Sequence, residues 1–119
     1  MPRMATMLVH IATGPENPTR AALGLLVART ALDEGHDVRV FLAGDAVQFA
    51  REETAGAASG IGTGSVSEHL GALRGSGLTV FLSGMSSKAR GIEGGEGYEL
   101  SPPQKLVELA TASETVLTY

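Results

Sequence analysis

Leu78-Thr79-Val80-Phe81-Leu82-Ser83-Gly84-Met85-Ser86-Ser87-Lys88-Ala89-Arg90-Gly91 passes from a short β-forming apolar run straight into small hydroxyl residues, a glycine and two cations. A buried parallel strand opens in this way into a loop at its carboxyl edge, where open α/β sheets place their ligands. The run Leu78–Leu82 is therefore read as a strand, and Ser83 as the first residue of a functional turn.

Working outward, the same strand-then-turn pattern recurs. Met7–Ala12 is an almost continuous apolar run, as expected for a strand covered on both faces. The turn Thr13–Pro18 follows, with Asn17 predicted as N-cap and Pro18 as first helical residue of a helix to about Glu34. Its inner face is Ala21, Leu25, Ala28 and Leu32, and Gly35 stops it. His36–Leu42 reads as the next strand. Asp45 is predicted to cap a helix through about Arg51. Arg51–Gly64, with glycines at 56, 60, 62 and 64, reads as a mobile loop. A helix from Ser65 or Ser67 runs to about Arg74, and a short one covers Ser86–Arg90. Glu93–Gly97 forms a second glycine-rich loop. Ser101-Pro102-Pro103 opens a last helix through about Ala110, with Leu106, Val107 and Ala110 inward, and Glu114–Thr118 is the final strand. Strands alternating with helices imply a single α/β domain spanning 1–119, its parallel sheet wound with right-handed crossovers and helices on both faces.

Composition narrows the function. The chain has 119 residues, 43% hydrophobic and 18% charged, an ordinary globular balance. Aromatics are only 4% and net charge is -4, which disfavours stacking on or attraction to nucleic acid. No cysteine is present, so disulfide and thiolate chemistry are excluded, and cytoplasmic residence is compatible. Met1–Thr6 leads directly into the first strand without the apolar segment of a signal peptide, and Ala21–Ala28 is too short to span a bilayer. Gly60-Ile61-Gly62-Thr63-Gly64 does not directly follow a strand, as a dinucleotide fingerprint would. Neither a P-loop nor a G-x-S-x-G elbow occurs, and no metal-ligand spacing is seen.

Three turns remain as the candidate site: Thr13–Asn17, Ala43–Asp45 and Ser83–Lys88. Helix N-termini there would present backbone N–H groups to a small anion, with Lys88 and Arg90 adding positive charge. The candidate ligand-binding residues are Gly14, Asn17, Asp45, Ser83, Gly84, Ser86, Ser87, Lys88 and Arg90. Of the histidines, His10 is expected to be a hydrogen-bonded core residue and His36 to be exposed. His69 is expected in a helix that could face the ligand edge. Glu93, Glu96 and Glu99, near Tyr98, read as solvated loop charges.

Taken together, these blocks resemble the DsrE/DsrF-like family of sulfur-relay and sulfur-oxidation proteins. The carrying residues are Thr13–Ala21, Gly35–Leu42 with Gly44–Val47, and Val80–Ile92. The resemblance implies a three-layer αβα, flavodoxin-like fold with a five-stranded, mostly parallel sheet, and homo-oligomers, commonly trimers or hexamers. It also implies that a persulfide-carrying cysteine follows the third strand, a place held here by Ser83. A serine hydroxyl has far too high a pKa to accept sulfur as a thiolate does. The expectation is therefore a cysteine-less, non-catalytic binding or accessory homologue, with no cofactor. The alternative is a protein or enzyme that binds a small anion or sulfur metabolite through the Ser83–Lys88 loop.

Overall fold

The computed structural model describes residues 4–119; the expected run-in at Met1–Arg3 lies outside them. The elements in order are β1 (Thr6–Ile11), α1 (Pro18–Asp33), β2 (Asp37–Leu42), a 3-10 helix (Gly44–Ala50), α2 (Glu52–Ala57), β3 (Ser59–Gly60), β4 (Gly64–Ser65) and α3 (Val66–Gly75). They continue with β5 (Val80–Ser83), α4 (Gly84–Ala89), β6 (Tyr98–Ser101), α5 (Pro103–Ala112) and β7 (Thr115–Thr118).

The main sheet has five strands in the order β6-β5-β2-β1-β7, and every pair in it is parallel. From β1 the chain steps outward to β2, β5 and β6, then returns past β1 to β7. Right-handed crossovers put the outward helices on one face and the returning helix on the other. The packing agrees. One face of the sheet, with Val9, Ile11, Val40, Leu42, Val80 and Leu82, packs with Ala21, Leu25 and Ala28 of α1 and Leu70 and Leu73 of α3. The other face carries Leu8 and Phe41, covered by Leu109 of α5 with Leu106 and Ala110 beside it. Burying each large apolar side chain contributes about 1.5–3 kcal/mol, so the thick face holds most of the core.

Several local readings hold. Asn17 caps α1 by accepting the Arg20 N–H at 3.1 Å, and Pro18 occupies the first turn. Ser65 caps α3 through the Glu68 N–H. Others are corrected. Asp45 caps nothing; it lies inside the 3-10 helix, which starts from Ala43 without a side-chain cap. Val107 does not face inward but is 61% exposed, and Leu109 is the buried residue of α5. Tyr98–Ser101 is a strand that residue pattern alone leaves out. It pairs with β5 from Val80↔Tyr98 to Ser83↔Ser101.

The segment expected to be a mobile loop is also built. It contains α2 and a small antiparallel hairpin, β3–β4, tied down at several points. Thr19 on α1 accepts the Ile61 N–H at 3.0 Å through its hydroxyl, and its carbonyl accepts the Thr63 hydroxyl at 3.0 Å. His69, 5% exposed, lies beneath the hairpin with Nε2 2.7 Å from the Thr63 carbonyl and Nδ1 3.4 Å from Arg29 Nη1. A carbonyl only accepts, so Nε2 carries the proton and Nδ1 receives the arginine. His69 is thus a structural peg rather than a residue facing a ligand.

Candidate functional site

The chain leaves β5 through α4, and Ile92 just beyond α4 joins the core of the α1/α3 face. It leaves β6 through α5 on the opposite face. Adjacent strands whose onward connections diverge open a crevice at their carboxyl ends, the usual ligand position in such sheets. Those ends are Ser83 and Ser101, a register pair. Gly84 packs so close that an added Cβ would lie 3.3 Å from the Ser101 carbonyl oxygen.

Around this point the structure brings together most of the predicted residues, and it engages their polar atoms with one another. Ser83 caps α4, its Oγ accepting the Ser86 N–H at 3.2 Å. Ser86 Oγ in turn accepts the Gly44 N–H at 2.9 Å. Gly44 has φ +54°, a left-handed conformation that side-chain-bearing residues adopt only under strain. Asp45 Oδ1 receives Arg90 through Nη2 at 3.0 Å and Nε at 3.3 Å, and Arg90 Nη1 also donates to the Ser86 carbonyl at 3.0 Å. Arg51 Nη2 donates to the Arg90 carbonyl at 2.6 Å. Gly14 closes the cluster from the β1 turn. A Cβ there would lie 2.4 Å from the Asp45 carbonyl oxygen, so only glycine lets the two turns touch.

Three predicted residues stand apart. Asn17 is spent on capping α1, its N–H donating to the Gly14 carbonyl. Ser87 is fully buried, and its hydroxyl has no hydrogen-bond partner. Lys88 is exposed and reaches a cavity of about 420 Å³ that it lines with Gly84, Gly91, Ile92, Glu93 and Leu100. That cavity adjoins the β5–β6 crevice. The anion-friendly wall expected from the sequence is therefore divided: the Ser83 and Ser86 hydroxyls and Arg90 are engaged internally, the Ser87 hydroxyl is buried, and Lys88 lies with Glu93 on the cavity.

The remaining histidines differ from expectation. His10 sits on the α5 face with its ring tilted toward Phe41 at 6.1 Å between centroids, and its enclosed Nε2 has no partner. Burial holds its pKa below the ordinary imidazole value. His36 is half-buried, Nδ1 accepting the Ala5 N–H at 2.9 Å. Among the described residues no group of three or more histidine and acidic side chains is arranged to hold a metal ion, and no helix is long and apolar enough to cross a membrane.

Sequence reasoning missed one cluster entirely. Arg74 at the end of α3 lies over the Tyr98 ring, its guanidinium carbon 4.4 Å from the centroid, and donates to the Glu96 carbonyl at 2.6 Å. The signal was present in the cation ending one helix and the tyrosine after the second glycine loop. Only the pairing of β6 with β5 brings them together.

Comparison with known proteins agrees with this architecture. The E. coli YchN crystal structure superposes with a TM-score of 0.73 at 22% identity, over 98% of this chain and 100% of that one, which establishes the fold. No curated protein matches significantly. The sequence profile of the DsrE/DsrF-like family matches residues 6–119, nearly the whole length. The chain belongs to the DsrE/DsrF-like family, and it is a member without cysteine.

Proposed function

We propose that this protein is a non-catalytic, cytoplasmic member of its family, one domain that serves as a binding or accessory subunit of a homo-oligomer, with Ser83 in the place of a sulfur-carrying cysteine. The observation that carries the reading is Ser83 itself. It ends β5 at the diverging strand pair, its hydroxyl is engaged as a helix cap, and the chain has no thiol to take up sulfur. A neutral hydroxyl does not attack sulfane sulfur at neutral pH. Incubation with a polysulfide followed by intact-mass measurement is expected to leave the protein unmodified; a stable sulfur adduct overturns the reading. The Ser83→Cys variant sharpens it. That variant is expected to gain sulfur mass that a reductant removes, and if it stays bare Ser83 does not stand in for the cysteine.

The assembly, a trimer or hexamer, is supported by apolar side chains left in solvent, among them Met85, Leu100 and Val107. Light scattering at micromolar concentration checks it, and a monomer defeats it. A second reading, a small-anion or sulfur-metabolite site on the Ser83–Lys88 loop, is favoured by Lys88 on the 420 Å³ cavity. Thermal-shift measurements with sulfate, phosphate and small thiols test that reading, which fails if none of them stabilises the protein.

A further inference from the structure

Away from the carboxyl edge, the end of the 3-10 helix, α2, α3 and the start of β6 line a separate solvent-open cavity of about 380 Å³. Its floor is apolar, formed by Phe49, Ala55 and Leu70, while Arg74, Tyr98 and Glu52 supply its polar groups. Arg74 is the unusual member. Its guanidinium is stacked on Tyr98, and Nε is enclosed with no hydrogen-bond partner. Gly97 makes that enclosure possible, because a Cβ there would lie 2.6 Å from Nε. Among the described residues no carboxylate comes within ion-pair distance of Arg74. Arg39 and Arg90 each hold an aspartate, whereas Arg74, like Arg51, donates to a backbone carbonyl. Burial raises the Tyr98 phenol above its ordinary pKa, with Arg74 pulling the other way, so Tyr98 is a neutral platform at pH 7.

We propose that this cavity is a binding site for a small monocarboxylate with an apolar or aromatic body. With Nε enclosed and Nη2 donating to the Glu96 carbonyl, Nη1 is the donor left for a carboxylate, and the Tyr98 ring fixes the guanidinium's orientation beforehand. The floor of Phe49, Ala55 and Leu70 takes the body of the ligand. Phosphate is the poorer match: Glu52 on the same wall repels any anion, and a dianion doubles that repulsion while meeting the same single cation, Arg74. This site is independent of the loop after β5 and stands whether or not Ser83 replaces a cysteine.

Benzoate is a suitable probe, with benzamide as its neutral isostere and inorganic phosphate as the dianion. In a chemical-shift titration of the whole protein, benzoate is expected to bind at least about tenfold more tightly than benzamide or phosphate, the difference a charge-assisted hydrogen bond supplies. Perturbed amides should include those of Arg74 and Tyr98. The blocking variant is Gly71→Leu. Gly71 lines the cavity on α3, an added Cβ meets nothing within 4 Å, and replacing a helical glycine favours folding. It is expected to abolish benzoate binding while the protein stays folded, and Arg74→Gln is expected to remove the preference for benzoate over benzamide. The proposal is overturned if benzoate does not bind, if phosphate or benzamide binds equally well, or if Gly71→Leu binds benzoate unchanged.

Discussion

The carboxyl edge of the sheet and the cleft beside Arg74 contain similar ingredients, namely an arginine, an acidic residue and a close-packed glycine. At the edge those ingredients satisfy one another. Ser83 holds Ser86, Ser86 holds Gly44, and Arg90 holds Asp45. In the cleft Arg74 has an aromatic face and a carbonyl but, among the described residues, no carboxylate within ion-pair distance. The contrast teaches that residue type alone does not mark a site. A polar group already paired in the fold is architecture, and what remains for a ligand is the group the fold leaves uncompensated.

The largest test of this contrast uses one substitution in both places. Gly14→Ala forces a side chain against the Asp45 backbone, where nothing flexible can yield. It is expected to lower unfolding free energy by about 2–3 kcal/mol in urea titration. An unchanged midpoint would mean that the edge turns are not locked together. Next in size is Ser87→Ala. The buried, unpartnered hydroxyl is a cost to the fold, so its removal is expected to raise stability by about 1 kcal/mol. A loss instead would show that Ser87 has a partner in the assembled protein. In the cleft, Gly71→Ala is expected to gain about 0.5–1 kcal/mol, opposite in sign to Gly14→Ala, because it meets open space on a helix.

Much of the fold was legible because it rests on local signals. Asn17-Pro18, Gly35 and Ser65 punctuate helices wherever they occur, and Val80–Leu82 is apolar because both faces of that strand are covered. β6 was not legible. Tyr98-Glu99-Leu100-Ser101 is short, half-exposed and charged, and it becomes a strand through its pairing with β5 at the sheet edge. The β3–β4 hairpin was missed for a related reason. Its glycines suggested freedom, but Thr19, Thr63 and His69 hold it through contacts distant in sequence. The candidate site divided along the same line. The three turns converge as the strand order requires, yet whether Ser86 or Arg90 is free depends on partners about forty residues away, which no local motif displays.

The smallest effect concerns the clasp between Asp45 and Arg90. At 3.0 Å the geometry is good, but the aspartate side chain is 51% exposed and the arginine 30%. Such a pair is worth at most about 1 kcal/mol and is weakened by salt. Asp45→Asn keeps an acceptor oxygen for Arg90, and Arg90 remains anchored by the Ser86 carbonyl. Only the charge is lost. The expected cost is therefore about 0.5 kcal/mol in low-salt urea titrations, and the gap between variant and parent should close at about 1 M salt. A cost above about 2 kcal/mol that survives high salt would mean that the edge cluster stores desolvated charge. The clasp would then resemble the cleft at Arg74 more than a solvated contact, and the distinction between the two regions would fail at its polar centre.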